Sequence, residues 1–435
     1  MRPPNVVCIV ADDQGHADLG CTGARDDASP ALDALARDGL LFTDAYANSP
    51  VCSPTRFALM TGRYQYRYRG GAEEPIGSRA RGDASLGLPP ACPTVPALLR
   101  AAGYDTALVG KWHLGYPPQF GPLSSGYGTF FGTMGGGIDY FSHRDRRGVH
   151  DLYEGHAPTA ATGYATDLFT ARAVDFVERS KASARPFLLS VHYTAPHWPW
   201  EAREDEAESR RIGDAIYHHD GGSLATYRAM VRQMDEGIGA IVDALARAGR
   251  ASDTLVLFTS DNGGERWSDT WPFVGGKMDL LEGGIRVPLI ARWPGVIAPG
   301  GTSSALAMTM DLAATMLACA GVHAAPAAPL DGIDLSSAFR APAAAPPREL
   351  FWRMKHRGQR AVRSGTWKYL LQDGHEFLFD LARDPRERAN LATRAPSVLA
   401  ALRERYDAWA ATMPPVPGDA AVHLVHGPGD LATPT

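Results

Sequence analysis

The chain has 435 residues, 45% of them hydrophobic, so it can bury a large core, and its formal net charge of -5 excludes the broad basic surface that non-specific nucleic-acid or anionic-membrane binding requires. Its five cysteines, Cys8, Cys21, Cys52, Cys92 and Cys319, are odd in number and scattered without a C-x-x-C pair, which supports neither a disulfide framework nor a zinc knot. No apolar run is long enough for a membrane span, and Met1 to Asn5 leads straight into a short apolar stretch without a small-residue cleavage pattern, so the expectation is a cytoplasmic protein in a reducing compartment.

Taken in chain order, Asn5 to Ala11 reads as a buried strand ending in Asp12-Asp13, and Ser29-Pro30 opens an amphipathic helix through Leu32, Leu35 and Ala36 that stops at Gly39. A helix from about Thr94 to Ala102 closes at Gly103 and leads into a strand from Thr106 to Val109. A longer helix near Tyr164 to Lys181 precedes a strand from Phe187 to His192, and another from about Ser223 to Ala248 ends at Gly249 before a strand from Thr254 to Thr259. This alternation predicts a large α/β domain, with polar loops at the C-terminal ends of its strands, where ligand sites of open α/β sheets gather. The Ala- and Pro-rich segment from Ala324 to Pro347 reads as a surface crossover. Alternating runs at Arg360 to Leu371 and Phe377 to Leu381 then predict a small antiparallel sheet, closed by a helix near Ser397 to Ala411, and the tail after Pro414 has no helical or strand period.

Several strand ends carry chemistry. Asp12 and Asp13 follow the first strand, and Asp261 and Asn262 follow the strand ending at Thr259. Three carboxylates and an amide are hard oxygen donors, suited to Ca²⁺ or Mg²⁺ rather than to zinc. Taken singly, Asp-Asp is a helix cap and Asp-Asn-Gly-Gly an ordinary turn. In Cys52-Ser53-Pro54-Thr55-Arg56, Pro54 is expected to be the first residue of a helix carried on by Ala58, Leu59 and Met60, which sets position 52 beside orphan N–H groups that favour an anion, with Arg56 adding a fixed cation. An isolated Cys-x-Pro-x-Arg is more often a packed turn cysteine. Lys111 and His113 lie in Gly110-Lys111-Trp112-His113-Leu114-Gly115 after another strand, where an ammonium can offset anionic oxygens and an imidazole can exchange a proton near neutrality. His192, inside its strand, reads as a hydrogen-bonded core residue. Glu282 and Arg286, four residues apart, read as an internal ion pair.

These stretches together resemble the type I, formylglycine-dependent sulfatases of the alkaline phosphatase superfamily. Cys52 to Arg56 looks like the family's C-x-P-x-R modification signature, Gly110 to Gly115 resembles its G-K-W-H-x-G stretch, and Gly275 to Pro288 matches G-x-K-x-x-x-x-E-G-G-x-R-V-P. Arg363 to Tyr369 and Leu378 to Pro385 are similar to sulfatase C-terminal segments. The resemblance implies an alkaline-phosphatase-like α/β/α sandwich with a large mixed sheet and a small C-terminal antiparallel-sheet subdomain, divided as residues 1–335 and 336–435. It implies that Cys52 is oxidised to formylglycine by a formylglycine-generating enzyme. It also implies that Asp12, Asp13, Asp261 and Asn262, with position 52, hold one cation, usually Ca²⁺, with Mg²⁺ as the other choice. Arg56, Lys111, His113, His197 and Lys277 carry over as catalytic or sulfate-contacting residues, His197 from Thr194-Ala195-Pro196-His197-Trp198-Pro199. The expected activity is hydrolysis of a small-molecule or saccharide sulfate ester, with no nucleic-acid or membrane partner. Two alternatives stay open: a formylglycine-dependent phosphonate monoester or phosphodiester hydrolase, and an unmodified, noncatalytic sulfosugar-binding homologue. Trp198, Trp200, Trp267 and Trp271 flank the expected site, either to stack on a substrate ring or as packing. Residues 115–163 and 200–222 align with no motif, and substrate selection is expected in such loops.

Overall fold

The computed structural model describes residues 3–218, 220–324, 326–342 and 347–424. Its strands are β1 (Asn5–Ala11), β2 (Leu40–Phe42), β3 (Ala45–Tyr46), β4 (Asp105–Lys111), β5 (Thr129–Thr133), β6 (Leu152–Glu154), β7 (Ala157–Pro158), β8 (Phe187–His192), β9 (Thr254–Ser260), β10 (Leu289–Arg292), β11 (Gly301–Ser303), β12 (Ala307–Met308), β13 (Glu349–Arg353), β14 (Arg360–Ser364), β15 (Trp367–Gln372) and β16 (His375–Asp380). Among the described residues, ten of them form one mixed sheet in the order β11-β2-β10-β9-β1-β8-β4-β5-β6-β7. Its centre is parallel, β1 lying between β8 and β9.

β1 is apolar without alternation because both of its faces are covered. Val6, Cys8 and Val10 enter one core cluster, while Val7, Ile9 and Ala11 enter the other. The helices are α1 (Pro30–Arg37), α2 (Cys52–Thr61), α3 (Val95–Ala101), α4 (Ala165–Ser180), α5 (Glu206–Ile212), α6 (Leu224–Arg247), α7 (Glu282–Ile285), α8 (Thr309–Cys319), α9 (Ser336–Arg340) and α10 (Pro396–Ala410). Leu32 of α1, Phe169 of α4 and Ile238 of α6 pack on one side of the sheet, and Phe57 of α2, Leu99 of α3 and Leu312 of α8 on the other. The expected starts and stops hold for physical reasons. Pro30 occupies the first turn of α1, the Thr94 and Ser223 side chains accept backbone N–H groups at the starts of α3 and α6, and Gly103 and Gly249 turn the chain away with φ of 93° and 69°.

Three expectations need correction. α2 begins at Cys52, so Pro54 is its third residue rather than its first; the proline is tolerated because the N–H it lacks is one of the four a helix start leaves unbonded. β4 runs on to Lys111, which puts that lysine at the strand end rather than in the loop. Within the crossover from Ala324, α9 forms, and Leu335, Ala338 and Phe339 are buried in the core at helical spacing. The rest of that crossover lies partly outside the described residues, as does the tail beyond residue 424; Val422 within the tail makes an isolated bridge to Glu74.

The predicted C-terminal antiparallel sheet is β13-β14-β15-β16, with α10 packed on one face. Its other face shares a core with Val51, Cys52 and Ala58 of the α2 region through Leu350, Trp352, Leu370 and Phe379. The Trp352 indole N–H donates to the Ala47 carbonyl at 2.8 Å. Buried Lys368 on β15 pairs with Glu282 at 2.9 Å and with Glu387 at 2.8 Å. The small sheet therefore buttresses the helix start that carries Cys52. The expected Glu282–Arg286 pair forms at 3.0 Å. Among the described residues, no helix is long and apolar enough to cross a membrane.

Candidate active site

Asp12 and Asp13 leave the end of β1, and Asp261 and Asn262 leave the end of the neighbouring β9. Parallel pairing of these strands brings the two dipeptides side by side. The Asp13 N–H donates to Asp261 Oδ1 at 3.3 Å, and the Asn262 amide donates to Asp13 Oδ1 at 2.7 Å. Asp13 takes a φ of 61°, a left-handed conformation that Asp tolerates better than most residues. Cys52 starts α2 against this edge, 1% exposed. One ligand atom from each of Asp12, Cys52 and Asp261 lies within 4.8 Å of the others, and the same is true of Asp12, Asp13 and His197.

Three basic side chains answer the three carboxylates. Arg56 holds Asp261 through Nε at 3.0 Å and Nη2 at 2.8 Å, Lys111 Nζ reaches Asp12 Oδ2 at 2.5 Å, and Lys277 Nζ reaches Asp13 Oδ2 at 2.6 Å. All are nearly excluded from water. Burial, with Asp261 and Asp13 close by, pushes the Asp12 carboxyl well above the usual range in spite of Lys111. Burial pulls the Lys277 ammonium down, but Asp13 and the other acids around it carry it above its ordinary value. Burial also pushes the Cys52 thiol up to about 11 against the pull of Lys111 and Lys277.

The donor set fits a hard divalent cation. Asp12 Oδ1 and Asn262 Oδ1 are buried oxygens without a hydrogen-bond donor among the described residues, an arrangement that costs free energy unless another group satisfies it. The same test finds Gln14, whose buried carboxamide is likewise unpartnered; nothing in the sequence marked it apart from its place after Asp13.

The two histidines are fixed by backbone carbonyls. His113 Nε2 donates to the Ile76 carbonyl at 2.8 Å, which leaves Nδ1 as an acceptor, and this ring stands against Gly136, where a Cβ would fall 2.5 Å from it. His197 Nδ1 donates to the Trp198 carbonyl at 2.6 Å and turns Nε2 toward Asp13 Oδ2, 3.5 Å away. Burial first, then Lys111 for His113 and Lys277 for His197, holds both rings well below their ordinary pKa. His192 is buried below the site, with Nδ1 3.3 Å from the Lys111 carbonyl.

A cleft opens above this floor and brings Cys52, His113, His197 and Lys277 together. Of the four flagged tryptophans only Trp198 lines it; Trp200 and Trp267 pack in the core, and Trp271 lies under the Arg386 guanidinium. The cleft also contains Ser78, Tyr116, Asp145, Arg146, Tyr217 and His423, which the sequence did not single out because they come from loops without a motif.

The mixed sheet with helices on both faces, and an acidic strand-end floor beneath a buried helix start, define the alkaline-phosphatase-like class of ester hydrolases. Within that class the chain belongs to the sulfatase family: the Sulfatase family model matches residues 4–322, and the model described as N-sulphoglucosamine sulphohydrolase, C-terminal, matches residues 276–408. The chain is similar to N-acetylgalactosamine-6-sulfatase of Mus musculus, 36% identical over 356 residues that cover 77% of this chain and 66% of that protein. It is also similar to arylsulfatase A of Homo sapiens, 33% identical over 466 residues that cover 93% and 87% of the two chains. A solved structure of Ps i-CgsB in complex with k-i-k-neocarrahexaose superimposes with a TM-score of 0.83 at 30% identity, covering 94% of this chain and 93% of that one. The chain thus spans about two thirds of the length of the N-acetylgalactosamine-6-sulfatase relative.

Proposed function

We propose that this protein hydrolyses the sulfate monoester of a sulfated sugar, using a formylglycine made from Cys52 by a formylglycine-generating enzyme and one divalent cation, calcium or magnesium. The observation that carries the reading is the convergence of Asp12, Asp13, Asp261 and Cys52 in one buried floor, from which Cys52 and Lys277 reach the cleft. A sugar substrate is favoured by the names of two relatives, an N-acetylgalactosamine-6-sulfatase and a protein solved with a neocarrahexaose.

Asp12, Asp13, Asp261 and the Asn262 carbonyl would hold the cation, which supplies Lewis-acid stabilisation of sulfuryl charge. The hydrated formylglycine supplies a nucleophilic hydroxyl and a second hydroxyl whose deprotonation expels sulfate, which a serine lacks. The protein's own residues do the rest. Arg56, Lys111 and Lys277 already balance the three carboxylates. A dication added to that set leaves the floor net positive, which favours the anionic sulfate ester and the further negative charge released as sulfate departs, in a site where preorganised charges need no reorganisation. Asp261, gripped by Arg56, is placed to take a proton from position 52. His113, which lines the cleft and has an unpartnered Nδ1, is the base for the elimination. The Lys277 ammonium carries a proton for the departing alcohol, whereas His197, neutral with its proton on Nδ1, would supply one only after Nε2 is itself protonated.

The test is side-by-side kinetics on aryl sulfate, sugar sulfate, phosphodiester and phosphonate esters, with protein made with and without the maturation enzyme. Peptide mass spectrometry across Pro50 to Arg56 reports conversion. Sulfate-ester turnover that tracks the converted fraction is expected. Faster turnover of phosphonate esters would move the protein to the neighbouring hydrolase class, and full activity with an unconverted Cys52 would overturn the mechanism.

A further inference from the structure

The outer half of the cleft differs from its floor in charge balance. Arg146 lines the cleft, half-buried, with its guanidinium 5.3 Å from the Tyr217 ring centre. Its bonds go to neutral oxygens, Ser78 Oγ at 3.4 Å and the Tyr217 hydroxyl. Arg79 and Arg147 stand close by, Arg147 Nη1 lying 3.4 Å from the Ser78 carbonyl. Among the described residues, none of these three guanidiniums has a carboxylate within ion-pair distance. Among the described residues of the cleft lining the one acid, Asp145, is already taken: Arg81 pairs with it at 3.1 Å, and its Oδ1 accepts the backbone N–H groups of Arg147 and Val149. Burial and the neighbouring Arg79 hold Arg146 below its ordinary pKa, as expected of a cation short of counter-charge.

The position of this cation relative to the floor is set by a row of rings. His197 packs at a tilt against Trp198 with centroids 4.2 Å apart, Trp198 likewise against Tyr217 at 4.6 Å, and the Arg146 guanidinium lies over the Tyr217 ring. A sugar whose sulfate reaches Lys277 and His197 would lie along the Trp198 face, and substituents on its far side would meet Arg146.

We propose, on the sulfatase reading above, that Arg146 is a specificity-determining residue that docks a second oxyanion of the substrate, a uronate carboxylate or a second sulfate, so that the preferred substrate is a polyanionic saccharide rather than a singly sulfated one. A guanidinium fork matches either group, and Arg79 and Arg147 add attraction for a polyanion in a protein whose net charge is negative.

The experiment compares two matched pairs of sulfated disaccharides: one with an adjacent uronate against its methyl ester, and one disulfated against the monosulfated compound. For each pair the ratio of kcat/KM is measured in the wild type, Arg146→Gln and Arg146→Lys, and the ratio of Kd is measured in the same backgrounds on Cys52→Ala protein. The wild type should favour the charged member of at least one pair by about tenfold or more, the usual worth of a charge-assisted contact. Arg146→Gln should bring that ratio close to one, Arg146→Lys should retain part of it, and added salt should reduce it. The responding pair identifies carboxylate or sulfate as the docked group. A wild type without preference, or a preference that Arg146→Gln leaves intact, would overturn the proposal. Absence of all sulfate-ester turnover would instead remove the hydrolase reading, and the Kd ratios would still decide the role of Arg146.

Discussion

The floor and the rim of the cleft are both rich in cations, but they are built on opposite principles. On the floor every cation is matched: Arg56 of α2 by Asp261, Lys111 at the end of β4 by Asp12, and Lys277 from the loop before α7 by Asp13, all nearly excluded from water. At the rim, Arg79 in a short helical turn and Arg146 and Arg147 on a loop reach solvent, and the latter two bond to neutral oxygens. A buried charge without a partner is too costly to keep, so the floor must be internally complete and therefore stereotyped. A partly solvated charge costs little and can wait for its partner in the substrate, which leaves the rim free to differ between relatives.

The largest effect should come from removing the attachment point on the floor. Cys52→Ala should lower turnover on the order of 10⁴-fold or more while the circular dichroism spectrum is retained, by comparison with loss of other covalent nucleophiles. Turnover near the wild-type rate would mean that the floor is not the reacting centre. Dialysis against a chelator should silence a fully converted sample, and Ca²⁺ or Mg²⁺ should restore it; which ion restores the rate at lower concentration identifies the resident metal. An unchanged rate in metal-free protein would show that the carboxylates are met by the lysines alone.

Lys111→Ala and Lys277→Ala should each cost roughly 10² or more in kcat, the usual loss for one preorganised donor. If either variant turned over normally, the matched floor would be structural, and the division between floor and rim would fail.

The buttress gives a contrast in stability rather than rate. Lys368→Met strands Glu387 in the shared core and leaves Glu282 paired with Arg286 alone, and leaving one side of a buried pair uncompensated costs about 3–5 kcal/mol. Denaturant unfolding should register that loss; a shift below about 1 kcal/mol would mean that water reaches the pair.

The smallest effect is a pH dependence of stability at Glu74, under the rim. Its carboxylate accepts the backbone N–H groups of Lys355 and His356, yet burial pushes its pKa up to about 7 from an ordinary 4.5. The folded state then holds this proton more tightly than the unfolded chain, so the contribution is complete below pH 4.5 and is lost as pH rises through about 7. Glu74→Gln should flatten the melting-temperature profile across that window; an unaltered profile would place the titration elsewhere.

The sequence by itself was enough for β1, β8, α1 and most of α6, because full burial on two faces and capped, periodic helices write their signals locally. It was also enough for the composition of the floor. Asp12-Asp13, Cys52 to Arg56, Lys111, His113, His197, Asp261-Asn262 and Lys277 each sit in a short motif anchored to a strand or helix end, where position along the chain sets position in space. Tertiary structure alone decided what those motifs do to one another: which lysine meets which aspartate, that His113 spends Nε2 on Ile76, that a C-terminal sheet braces α2, and that α9 turns an apparent surface crossover into core. It alone assembled the rim, where Ser78, Arg146, Trp198, Tyr217 and His423 come from separate loops. The reason is physical. Local backbone preferences and burial are carried by neighbours in sequence, whereas ion-pair partners and cleft walls depend on contacts between segments scores or hundreds of residues apart, which no local pattern records.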